Sequence, residues 1–166
     1  MSWKQYTAGQ GRGTMGIKER IPIDITFPTR VAMELNRRGI KECNLQQLKV
    51  ERYHTILITQ KSGKMVIYEF GIKISRFGLF GFCSIYGKDS PLTELFKLPC
   101  NELPTVFGLD TKLSMKSDGL ELTKRLMPGL PKPKITASDF RRIVNELERW
   151  IKNLQDYFKH ITLLGP

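Results

Sequence analysis

An apolar stripe near the carboxyl end constrains the fold of this chain more than any other segment. Its apolar side chains recur at the i, i+3, i+4 and i+7 spacing of an amphipathic helix over about six turns. They are Phe140, Ile143, Val144, Leu147, Trp150, Ile151, Leu154, Phe158 and Ile161. Ser138 or Thr136 stands where an N-cap is expected. The width of the stripe predicts a long helix that covers a sheet.

Five of the predicted strands lie between residues 53 and 126. Residues 53–60 and 65–75 are rich in Ile, Val, Thr and Tyr and flank the turn Lys61-Ser62-Gly63-Lys64, which predicts a hairpin. Residues 79–86 predict a third strand. Residues 109–115 and 120–126 predict another hairpin, turned by Ser117-Asp118-Gly119.

The amino-terminal half predicts shorter elements. Alternation over Ile21–Phe27 predicts an edge strand, since Pro22 removes a backbone donor. A short helix should follow over Thr29–Arg38 and end at Gly39, and Asn44 should begin a second short helix. Prolines predict a loop over residues 91–108 and an extended connector over residues 127–134.

These elements predict an α+β fold in two parts. Residues 1–20, with glycines at 9, 11, 13 and 16, form a flexible basic arm. Residues 21–166 form a single compact domain, because their number fits one hydrophobic core. That domain is expected to hold a mostly antiparallel sheet, two short amino-terminal helices and the long amphipathic carboxyl-terminal helix.

The charge balance indicates an anionic partner. Lys and Arg number 27 against 16 Asp and Glu, which gives a net charge of +11. Such an excess concentrates phosphate or anionic headgroups near the surface, although it also serves solubility. We therefore expect a nucleic acid or an anionic membrane surface as partner.

The residue inventory argues against an enzyme. His54 and His160 lie in no catalytic motif, and no GxSxG or Walker sequence occurs. The GxGxxG match at residues 11–16 lacks the strand and helix that a dinucleotide site requires. Cys43, Cys83 and Cys100 show no CxxC spacing, which argues against disulfides and zinc. We expect no catalytic residues, no metal and no cofactor.

The candidate anion-binding residues are Lys61, Lys64, Lys73 and Arg76, which belong to one predicted hairpin and its exit. A basic hairpin tip can reach a phosphate backbone or a bilayer, where each Lys or Arg adds about 1 kcal/mol. Residues 76–82, which alternate glycines with aromatics after Arg76, favour a packed core strand over an RNA-stacking surface. Arg37 and Arg38 are explained by the dipole of the first helix, whose carboxyl end they occupy.

Trp3 and Tyr6 are the candidate self-association residues. Exposed aromatics on a loose segment are costly to leave in water, so they anchor either on the parent domain or on a neighbouring copy. The first residues include no secretory segment, and no apolar run approaches the roughly 18 residues of a membrane helix. Any membrane contact is therefore expected to be peripheral.

In architecture the chain resembles the matrix proteins of rhabdoviruses, particularly the smaller ones of plant-infecting members. A basic arm precedes a strand (Ile21–Phe27), a short helix, a sheet, an apolar proline-interrupted loop and a closing amphipathic helix. The arm lacks the PPxY or P[ST]AP budding signals of the animal-virus pattern, which puts recruitment of host machinery in doubt.

The resemblance implies a non-enzymatic structural protein of the virion and host cytoplasm. Such a protein polymerises beneath an envelope, binds the nucleocapsid and contacts anionic lipid. The alternative is a small basic RNA-binding module, viral or ribosome-associated. A matrix protein should polymerise without nucleic acid, whereas an RNA module should stay small until RNA is added.

Overall fold

The computed structural model describes residues 20–40, 42–43, 48–51, 54–87, 111–116, 118–127 and 132–164. Two helices are present in these ranges: α1 (Phe27–Arg37) and α2 (Ala137–Leu164). The strands are β1 (Arg20–Pro22), β2 (Lys49–Glu51), β3 (His54–Ser62), β4 (Met65–Ser75), β5 (Gly78–Tyr86), β6 (Thr111–Lys116), β7 (Gly119–Arg125) and β8 (Lys134–Thr136). The predicted α+β class is confirmed.

The main sheet has six strands in the order β2-β3-β4-β5-β7-β6, and every neighbouring pair is antiparallel. Both predicted hairpins are confirmed, with β3–β4 turned at Gly63-Lys64 and β6–β7 turned near Asp118. Gly63 has a φ of 62°, a left-handed conformation that glycine adopts without steric cost. Local turn chemistry therefore fixes the connections that join neighbouring strands.

Helix α2 packs on one face of this sheet, as its apolar stripe predicts. Leu147 and Trp150 are fully or almost fully buried, and the Trp150 ring meets Phe70 of β4 edge to face at 6.0 Å. The Trp150 indole N–H donates to Thr111 Oγ1 at 3.2 Å. Gly81 of β5 lies under the helix, because a Cβ there would stand 3.0 Å from Leu147 Cδ1.

Helix α1 lies beside α2 and shares its core. Phe27 contacts Phe140 edge to face at 5.8 Å. Arg38 just beyond α1 donates to Glu148 Oε1 of α2 at 3.1 Å, so it joins the two helices as well as lying at a helix end. Gly39 ends α1 with a φ of 98°, as predicted.

The predicted strand over Ile21–Phe27 is wrong beyond Pro22. β1 ends there and pairs with β8, while the Asp24 carboxylate accepts hydrogen bonds from the backbone and hydroxyl of Thr26. This local side-chain turn replaces the strand and leads directly into α1, and it leaves Ile25 91% exposed. Arg20, expected in the arm, belongs to β1.

Other expectations are corrected or lie outside the described residues. The described chain has one short amino-terminal helix rather than two, and residues 44–47, where the second was predicted, lie outside it. Residues 1–19 of the predicted arm and the predicted loop at 91–108 also lie outside the described residues. The predicted connector over 127–134 ends in a strand that the sequence did not indicate, since Lys134 begins β8.

Candidate anionic-partner surfaces

The first candidate surface is the β3–β4 turn, with Lys61 and Lys64, which we call the lysine turn. Both side chains are exposed, and the strand register places Lys61 opposite Val66 beside the turn. Met65 follows directly and is 72% exposed. The lysine turn thus presents two cations next to an uncovered aliphatic side chain.

Lys73 and Arg76 lie at the opposite end of β4. Lys73 is half-buried near the carboxyl end of the strand, and Arg76 is exposed in the β4–β5 turn. The eleven residues of β4 span roughly 30–35 Å at the usual rise of a strand. The four predicted cations therefore form two separate surfaces.

Two arginine–phenylalanine pairs build the second surface, formed by Lys73, Arg76, Phe77, Phe80 and Arg125, which we call the arginine–aromatic end. The Arg76 guanidinium lies 4.9 Å from the centre of the Phe77 ring, and that of Arg125 lies 4.7 Å from the centre of Phe80. Arg125 Nη1 also donates to the Phe77 carbonyl oxygen at 3.2 Å. The two pairs are thereby tied together.

Gly78 permits this close arrangement. A Cβ at position 78 would stand 2.6 Å from Arg125 Nη1 and 3.0 Å from carbons of the Phe80 ring. Any larger residue would thus displace the arginine or the ring.

The register of β3, β4, β5 and β7 places the strand residues of the arginine–aromatic end on the sheet face that points away from α2. Lys73 pairs with His54 on one side and with Phe80 on the other, and Phe80 pairs with Arg125. Because side chains alternate along a strand, Phe80 lies opposite in direction to its neighbour Leu79, which is buried in the core. The His54 ring contacts Phe82 on the same face at 4.9 Å.

Two carboxylates lie at mid-strand on this face. Glu69 and Glu121 both pair with Ser84, one from each side, and both are buried. The Tyr86 hydroxyl donates to Glu69 Oε1 at 2.6 Å, and burial together with this carboxylate raises the Tyr86 pKa. Lys116 Nζ stands 3.5 Å from Glu121 Oε2. Each carboxylate thus has a structural partner.

The sequence-based prediction missed Arg125 as part of the site. Arg125 reaches the Phe80 ring because β7 pairs with β5, and no local sequence pattern reveals that pairing. The only signal was the position of Arg125 at the end of a predicted strand. Trp3 and Tyr6, the predicted self-association residues, lie outside the described residues.

The comparisons with known proteins found nothing. No protein-family model, no curated protein and no solved structure matches the chain. The resemblance to rhabdovirus matrix proteins accordingly rests on the sequence alone.

In the described ranges, no three His, Cys, Asp or Glu side chains are grouped to hold a metal ion. Burial raises the Cys43 pKa to about 11, and it also raises the Cys83 pKa well above its ordinary value. Both thiols therefore stay protonated and pack as small apolar groups. Among the described helices, none has the length and apolar character to cross a membrane.

Proposed function

We propose that this chain is a non-enzymatic structural protein of matrix type that bridges an RNA-containing nucleocapsid and an anionic membrane. The observation that carries the proposal is the separation of its candidate cations into two surfaces at opposite ends of β4. This strand is hydrogen-bonded on both sides, by β3 and β5, so the separation is fixed. A bridging protein needs two such surfaces held apart.

The mid-strand carboxylates favour two sites over one continuous track. Glu69 and Glu121 are buried carboxylates at mid-strand, on the sheet face that carries Lys73, Phe80 and Arg125. A carboxylate repels a phosphate at close range, although Lys116 beside Glu121 offsets part of this charge. A simple RNA-binding module, the alternative function, would gather its cations along one path.

The proposal includes self-association and a place beneath an envelope. Trp3 and Tyr6 are the proposed contacts between copies, because a docked aromatic can offset the ordering cost of a loose segment. Head-to-tail contacts of this kind generate open arrays unless the rotation closes. Such a layer lies at the inner surface of the virion membrane or in the host cytoplasm.

A three-component sedimentation assay tests the bridge. The full chain, anionic phosphatidylserine vesicles and fluorescent single-stranded RNA are mixed, and RNA that pellets with the vesicles is measured across a salt series. We expect RNA to pellet only when the protein is present, with a steep loss as salt rises. Electron microscopy of the protein without RNA should show arrays.

The double substitution Lys61→Glu with Lys64→Glu should abolish pelleting of RNA while leaving binding to one of the two partners intact. Arg149→Glu with Lys159→Glu is the matched control, because both residues are exposed on α2 and the charge change is the same. Equal losses from the two double variants would show that net charge alone is responsible. Binding of RNA without vesicles or arrays would favour the RNA module.

A further inference from the structure

The arginine–aromatic end differs from the lysine turn in the shape of its groups. At the lysine turn, flexible ammonium groups adjoin the aliphatic Met65. At the arginine–aromatic end, two of the three cations are planar guanidinium groups, and each of these lies over a phenylalanine ring. Flat groups of both kinds are surfaces on which nucleic-acid bases stack, whereas lipid headgroups and acyl chains have no flat group to match.

Phe77 is the more accessible of the two rings. It is 63% exposed at the tip of the β4–β5 turn, although the Arg76 guanidinium already contacts its ring. The Ser75 hydroxyl accepts the Phe77 backbone N–H at 3.1 Å, and Arg125 binds its carbonyl oxygen. The backbone on both sides of the ring is therefore held in place, which reduces the entropy lost when a base docks on it.

Positive charge surrounds this ring. Arg76 is the preceding residue in the turn. Lys73 lies near the carboxyl end of β4, where it pairs in register with Phe80. A single strand of RNA that placed a base on Phe77 would bring its flanking phosphates towards these two cations. Stacking planes combined with a cationic border are the recurring features of single-strand binding surfaces.

We infer that the arginine–aromatic end binds single-stranded RNA, with a base stacked on Phe77 and the adjoining phosphates held by Arg76 and Lys73. This inference rests on the proposed bridging function and assigns the RNA to one of its two surfaces. Because a bridge needs one surface for each partner, the lysine turn is left to the membrane.

Phe77→Leu separates stacking from simple apolar contact, because leucine keeps the apolar character but removes the flat ring. In fluorescence anisotropy with a short labelled oligouridylate, the full-chain Phe77→Leu variant should bind this RNA about 5- to 140-fold more weakly than the unchanged protein does. This is the loss expected for one base stack. Phe77→Trp should restore the affinity. Binding to phosphatidylserine vesicles should be unchanged in both variants, and circular dichroism should show an unaltered fold because the ring is exposed.

Met65→Leu at the lysine turn is the matched control and should leave RNA affinity unchanged. RNA affinity that is the same in Phe77→Leu as in the unchanged protein overturns the assignment while the bridge itself can still stand. Loss of vesicle binding with RNA binding retained overturns it in favour of a lipid at this end. Absence of RNA binding by the unchanged protein overturns both the assignment and the proposed bridge.

Discussion

The contact between Leu147 and Gly81 offers a sharp test of how α2 rests on the sheet. Leu147 is fully buried, so Leu147→Ala removes its contacts and leaves a cavity, which should lower the free energy of unfolding by about 2–5 kcal/mol. Gly81→Ala alone introduces a Cβ at 3.0 Å from Leu147 Cδ1. Crowding of this kind costs about 1–3 kcal/mol, partly offset by about 0.4–1 kcal/mol from the less flexible unfolded chain.

The two substitutions together should behave differently. Once Leu147 is truncated, the new Cβ at position 81 meets only ordinary contacts, the nearest being Trp150 Cζ3 at 3.4 Å. The double variant should therefore be more stable than Leu147→Ala alone, with a coupling free energy of about 0.5–3 kcal/mol. Urea denaturation followed by tryptophan fluorescence and circular dichroism measures all four proteins.

A control cycle pairs Gly81→Ala with Leu35→Ala. Leu35 is equally buried but belongs to α1 and is not among the atoms nearest to Gly81. Those two changes should add to within about 0.5 kcal/mol. If Gly81→Ala has the same effect with and without Leu147, α2 does not rest on Gly81 and the helix–sheet packing described above is wrong.

Two further predictions concern α1 and α2. Thr136→Ala should lower the free energy of unfolding by about 0.5–2 kcal/mol because Thr136 Oγ1 accepts the Asp139 backbone N–H at 3.0 Å, whereas Ser138→Ala should have little effect by the same denaturation assay. Hydrogen bonds from Arg37, and from Arg38, lower the Glu34 pKa from 4.5 to about 2. The carboxylate therefore stabilises the fold above about pH 4.5, and the stability difference between the unchanged protein and Glu34→Gln should shrink as the pH falls towards 2; a difference that stays constant over this range would contradict it.

Elements with their own local signals were predictable from the sequence. The β3–β4 and β6–β7 hairpins carry both alternating apolar residues and glycine turns, and α2 carries a continuous stripe. The sequence offered Ser138 and Thr136 as alternative caps, and the structure selects Thr136. That choice depends on where the chain leaves β8, which the sequence did not indicate.

Pairing between distant segments was not predictable in the same way. β1 and β8 are three-residue strands that lie far apart in the sequence, and each lacks a periodic pattern long enough to recognise. The alternation over Ile21–Phe27 was misleading because Asp24 and Pro28 favour a turn and a helix start over an extended chain. The local hydrogen bonds of the Asp24 carboxylate therefore determined the structure here, and the short alternation of apolar residues did not.

The segment over residues 76–82 shows why the site itself was ambiguous in the sequence. A core strand and a stacking surface were treated as alternatives, but a strand has two faces, and this one supports both. Leu79 enters the core and Gly81 makes room for α2, while Phe80 lies on the far face under Arg125. Gly78 leaves space for that arginine. The alternating glycines thus serve helix packing on one side and arginine–aromatic pairing on the other, and only the register of β5 against β7 separates the two uses.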